Sequence, residues 1–127
     1  MEDYIKCMQD PVYFASKCHL MTPQGLQPCI LRDYQIDYLR HLQQHRFSIF
    51  LSCRQSGKST TTAIYCLWTI LFNTDKQGLI LSKSGPAGQD LLSKTKDMFL
   101  YLPYHLKCGV MKWNQSSISF MPASNVA

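Results

Sequence analysis

The 127 residues amount to one domain or part of a larger one, and a composition of 46% hydrophobic and 17% charged residues excludes a disordered or low-complexity chain. Thirteen Lys plus Arg against eight Asp plus Glu give a formal charge of +5; this suits a phosphate-bearing partner but is equally common in domains that bind none. The six cysteines (Cys7, Cys18, Cys29, Cys53, Cys66 and Cys108) form neither a C-x-x-C pair nor a disulfide framework, and read as free thiols in a reducing compartment.

In chain order, "MEDYIKCMQD" carries early acids and no apolar signal core, and the apolar run "AIYCLWTILF" is too short to span a bilayer. A soluble intracellular chain is therefore expected, with no membrane partner. "DPVYFASKC" opens a short helix, with Asp10 as N-cap and Pro11 at the first helical position. "MTPQGLQP", Met21 to Pro28, reads as a loop on its two prolines and glycine. In "LRDYQIDYLRHLQQH", Leu31, Tyr34, Tyr38, Leu39 and Leu42 recur at helical spacing. "RFSIFLS", Arg46 to Ser52, is short, β-branched and aromatic, and predicts a buried strand. From Lys58 to Phe72 apolar residues wrap most of a helix, as expected beside a sheet. "LILS", Leu79 to Ser82, predicts a second strand, "PAGQDLLSKTKDMFLYL" an amphipathic helix, and "SSISFMP" a third strand cut short by Pro122. This alternation predicts an α/β fold, a parallel sheet flanked by helices.

The most informative stretch is "FLSCRQSGKSTTTA". A phosphate-binding loop is written G-x-x-x-x-G-K-[ST], and Ser52, Cys53, Arg54, Gln55, Ser56, Gly57, Lys58 and Ser59 fill its eight places with only the first departing. Backbone N–H groups around Gly57 to Thr60, at a helix N-terminus, can face phosphate oxygens. Lys58 supplies an ammonium for the β- and γ-phosphates and the Ser59 hydroxyl can ligate Mg²⁺. A predicted strand before the loop and a helix after it meet the context the motif requires. Arg54 either reaches phosphate oxygens, as an arginine finger in cis would, or pairs with an acid elsewhere. Gln35 offers a carboxamide that can match the edge of adenine; as a residue on its own it reads better as a solvated helix-surface glutamine.

"DPVYFASKC", "LRDYQIDYL" and above all "SCRQSGKST" resemble the N-terminal ATPase domain of tailed-phage large terminases, the motors that package viral DNA into procapsids. A small residue in place of the first glycine, with Arg-Gln before the Gly-Lys, is the feature they share. "YLPYHLKCGVMKWNQSSISF" resembles the stretch ahead of that family's acidic motif. The resemblance implies a P-loop NTPase fold of the additional-strand type, binding ATP and Mg²⁺. Residues 1–45 would be a helical lead-in holding the adenine-binding segment, and 46–127 a partial P-loop core. It implies that Gln35 reads adenine, that Arg54 senses or stabilises the γ-phosphate, and that the full-length relative acts on double-stranded DNA with a portal and a small terminase subunit, in the host cytoplasm. A helicase-like translocase is the neighbouring alternative.

The departure lies at the other end. Hydrolysis needs a carboxylate near the metal and usually a second acid to polarise water. The eight acids are Glu2, Asp3, Asp10, Asp33, Asp37, Asp75, Asp90 and Asp97; none ends an apolar strand, and none follows Asp97. The expectation is a fold incomplete at its C-terminus, without the family's nuclease, that binds nucleotide and turns over little or none. His41 and His45, spaced i, i+4, read as a surface pair rather than zinc ligands, and Cys53 as a small spacer rather than a reactive thiol. Lys83, Lys94, Lys96, Lys107 and Lys112 read as a solvated face, and Trp68 and Trp113 as packing residues.

Overall fold

The structure, a computed structural model, describes residues 2–54, 57–73, 76–107, 109–120 and 124–126. Helix α1 (Glu2–Gln9) leads into α2 (Pro11–Ala15) through Asp10, whose carboxylate accepts the Val12 N–H at 2.9 Å while its backbone stays extended. That bond satisfies one of the orphan donors at a helix start. Arg40 then grips the same carboxylate with two N–H donors, at 2.9 and 3.2 Å, which ties the cap of α2 to helix α3 (Asp33–Gln44).

Residues 21–28, expected as a loop, belong instead to a hairpin over 19–28. It is formed by β1 (His19–Thr22) and β2 (Gly25–Pro28), antiparallel with Thr22 opposite Gly25. The prolines fit because Pro23 stands in the two-residue turn and Pro28 at the strand's last position, where neither interrupts the ladder. Gly25 takes φ +109°, open to glycine at no steric cost, and its carbonyl accepts the Thr22 hydroxyl at 2.8 Å.

Helix α4 (Lys58–Phe72) forms where the sequence places it, and is the centre of the molecule. Ala63, Ile64 and Leu67 are fully buried, and join Phe14 of α2 and Phe120 in one core. Helix α5 (Gly85–Leu100) packs along α4 through Leu92, Met98 and Phe99, and a 3₁₀ turn, Tyr104–Leu106, follows it.

The remaining strands, β3 (Gln77–Gly78), β4 (Val110–Trp113), β5 (Ile118–Phe120) and β6 (Ser124–Val126), form one sheet in the order β3-β6-β5-β4. β3 runs parallel to β6, and the other two pairings are antiparallel. The strand expected within 116–122 is β5. The strands expected over 46–52 and 79–82 are not formed: neither segment carries a ladder, and pairing at the second occurs two residues earlier, in β3. Ile49, Leu51 and Leu81 stand 97%, 96% and 83% exposed instead of buried. The physical reason is missing partners, since β-propensity expresses side-chain packing against neighbouring strands and neither segment has one. Phe50 finds a surface, stacked on Tyr38 of α3 with ring centroids 4.2 Å apart, and Ile80 packs half-buried against the core. Among the described residues, no helix is long and apolar enough to cross a membrane.

Candidate functional site

Gly57 adopts φ +80°, ψ 14°, and helix α4 begins at the next residue. A left-handed residue directly ahead of a helix turns the chain sharply, leaving the first N–H groups of α4 without intrahelical partners. Those groups and the helix dipole make this end attractive to anions. Lys58 and Ser59 are exposed there and Thr60 is half-buried. The Lys58 ammonium folds back across the loop to the Ser52 carbonyl, Nζ to O 3.5 Å, so Ser52 and Lys58 bracket the loop's opening. Cys53 and Arg54 are exposed, and the Arg54 guanidinium has no carboxylate partner among the described residues. Gln55 and Ser56 lie outside the described residues.

Helix α3 holds this loop from behind. Gln35 is nearly buried, at 8% exposure. Its side-chain Oε1 accepts the Arg32 N–H at 2.9 Å, one half of a capping box at the start of α3. Its Nε2 donates to the Gly57 carbonyl at 3.2 Å and to the Thr61 hydroxyl at 3.1 Å. Thr61, fully buried, donates its own hydroxyl to the same carbonyl at 2.9 Å and its N–H at 3.0 Å. One turn further on, the Tyr38 and Thr62 hydroxyls meet at 3.1 Å. Sequence reasoning singled out Gln35 but passed over Thr61; the available signal was a hydroxyl placed four residues after the loop's glycine, where it reaches that glycine's carbonyl.

Beside the loop lies a cleft of about 220 Å³, lined by Leu20, Ile30, Arg32 and Tyr34 together with Gln35, Gly57 and Thr60. It is smaller than the roughly 300 Å³ from which whole small-molecule sites begin, so it suits one ring system rather than an entire nucleotide. A cavity of about 320 Å³ at the start of α5 is larger but does not border the loop. Convergent polar groups, not size, single out the smaller cleft. The Arg32 guanidinium approaches the Tyr34 hydroxyl at 3.4 Å on its rim. A further cavity, about 330 Å³, shares Thr60 with the cleft and is bordered by Lys94 and Asp97.

Several other expected residues are placed away from the loop. His41 and His45 are exposed and stacked, with ring centroids 4.1 Å apart, and no group of three or more His, Cys, Asp or Glu able to hold a metal occurs among the described residues. Trp68 donates its indole N–H to the Cys7 carbonyl at 2.8 Å, a packing role. Trp113 lies under Lys96, whose ammonium is 5.3 Å from its ring centroid and bonds the Asn114 carbonyl. Lys107 caps the Leu100 carbonyl at 2.7 Å, and Lys83 and Lys94 are exposed; the Lys112 side chain, like Asp75, Cys108 and Pro122, lies outside the described part of the structure. Away from the site, Asp3 joins the Tyr13 hydroxyl at 2.6 Å, His105 at 2.8 Å and Lys17 at 3.2 Å. The Tyr13 hydrogen bond first, and that from His105 second, hold its carboxyl well below the usual range. Compared with models of known protein families, the chain matches none.

Proposed function

We propose that the chain binds a nucleoside triphosphate with Mg²⁺ through the loop from Ser52 to Thr60, as the ATP-binding part of a viral DNA-packaging motor of the large-terminase type. The observation that carries the reading is Gly57 in a left-handed conformation directly ahead of α4, with Lys58 reaching back across the loop. Phosphates lie against the free N–H groups at the start of α4, and Lys58 turns from Ser52 to neutralise the terminal charge. The Ser59 hydroxyl is a hard oxygen donor exposed beside those groups, which fits Mg²⁺, an ion that takes few protein ligands and keeps waters and phosphate oxygens. Bound there, the ion offsets charge on the phosphates. Arg54, exposed and without an acid partner among the described residues, is free to approach the γ-phosphate. Double-stranded DNA, a portal and a small terminase subunit are the partners the motor reading entails; they rest on the sequence resemblance alone, above all that of "SCRQSGKST".

Binding without turnover is the second reading. No carboxylate lines the cleft beside the loop among the described residues. One pair of measurements tests both. The purified chain is titrated with a fluorescent ATP analogue and Mg²⁺ and assayed for phosphate release, each with and without Lys58→Ala. Binding weakened by about tenfold or more in the variant supports the phosphate-loop reading, and phosphate release lost with it adds turnover. No binding by the unaltered chain, or binding indifferent to Lys58, refutes it.

A further inference from the structure

We infer that Gln35 is the positioning residue that locks the loop's glycine peptide, and that the site consequently takes nucleoside triphosphates with little regard to the base; the inference rests on the phosphate-loop reading above. The Gln35 Nε2 is held by two acceptors at once, the Gly57 carbonyl and the Thr61 hydroxyl. Its oxygen already accepts the Arg32 N–H. Turning this amide toward the edge of a purine would pull it off these partners in a nearly buried setting, where an unpaired group is costly.

The locked peptide has a direct chemical consequence. In a planar trans peptide the C=O and N–H point in opposite directions. The carbonyl of Gly57 is held toward α3 and α4 by three donors: Gln35 Nε2, Thr61 Oγ1 and Thr61 N. The N–H of Lys58, on the same peptide, therefore points the opposite way, away from those donors and toward the loop. Glycine at φ +80° is free to rotate this peptide in a way no other residue is, and a flip would present a carbonyl oxygen to the phosphates. Gln35 and Thr61 oppose that flip. Around Gln35 the cleft offers a base Leu20 and Ile30, which pack against any heterocycle, and on its rim Arg32 and Tyr34, whose flat groups stack on one.

The test titrates the full chain with Mg²⁺ complexes of ATP, GTP and tripolyphosphate, which has no base. Gln35→Glu keeps the shape but turns an oxygen toward the Gly57 carbonyl, and Gln35→Leu removes the donors. The expected result is ATP and GTP bound within about threefold of each other by the unaltered chain, and all three ligands weakened alike, by about tenfold, in both variants. Thr61→Val, which removes a second donor to the same carbonyl, weakens the three alike and Thr61→Ser restores them. This pair carries the test if circular dichroism shows the Gln35 variants unfolded. A Gln35 variant that loses ATP while tripolyphosphate binds unchanged, or an ATP preference above about tenfold in the unaltered chain, overturns the inference and makes Gln35 a base reader. Failure of the unaltered chain to bind any of the three overturns the phosphate-loop reading itself, a result distinct from base-selective loss.

Discussion

Replacing Gly57 with alanine strains the structure in two separable ways. A left-handed conformation costs an L-residue about 1–2 kcal/mol that glycine does not incur. A Cβ at Gly57 would also overlap Gln35 Nε2 and come within 3.3 Å of its Cδ. Gln35 must then withdraw, and its bonds to the Gly57 carbonyl and the Thr61 hydroxyl go with it, at a net value of about 1 kcal/mol each. The sum is about 3–4 kcal/mol. Gln35→Ala alone loses three bonds, or about 3 kcal/mol by the same count. It also clears the obstruction, so the double variant should be less destabilised than the two single losses added, by about 2 kcal/mol. Urea denaturation of the four proteins, followed by circular dichroism, measures each term. Strict additivity, within about 0.5 kcal/mol, would refute the claim that the two residues obstruct one another.

Asp3→Asn tests the ion cluster at the N-terminus. The folded carboxyl titrates below its ordinary value of 3.8, so the charged form contributes stability above that pH and loses it as the pH falls below it. The variant should melt below the unaltered chain at pH 7, keep most of that gap near pH 3 and close it only at still lower pH, and a gap in melting temperature that does not shrink anywhere below pH 4 would contradict the cluster. Thiol labelling tests burial: Cys53 is exposed, whereas burial, followed by the charge of Asp3, pushes the Cys7 thiol up to about 11, and burial likewise raises Cys18 and Cys29. Iodoacetamide at pH 8 with peptide mapping should modify Cys53 at least about 100-fold faster than Cys7, a difference that urea abolishes. Equal rates in the native protein would place Cys7 outside the core.

The parts of this chain legible in sequence are those whose causes are local. The cap at Asp10 and Pro11 involves neighbours in sequence, and the periodicity of 58–72 lies within one helix, so both are formed where expected. The hairpin at 19–28 was illegible because Pro23 and Pro28 signal a break without revealing that each occupies a position a hairpin tolerates. The segments 46–52 and 79–82 have strand composition, yet a strand exists only with a partner, and composition does not say whether the partner is present. At the site the motif located Lys58 and Ser59 because its spacing is contiguous. The engagement of Gln35 joins residues 22 and 26 positions apart and depends on how α3 crosses α4, which no local pattern encodes.

Helix α4 begins at the loop and runs through the core, with Trp68 bonded to α1, Tyr65 bonded to the end of α3 at 3.4 Å, and α5 packed along it. Its first turn is therefore not a peripheral appendage that can fray independently of the rest. A ligand held there is linked to global unfolding, because the state that binds it and the state with an intact interior are the same. At a hundred times the dissociation constant such a ligand adds about 2.7 kcal/mol to the stability of the whole chain. Occupancy at one helix end is thus readable as heat resistance of the entire molecule.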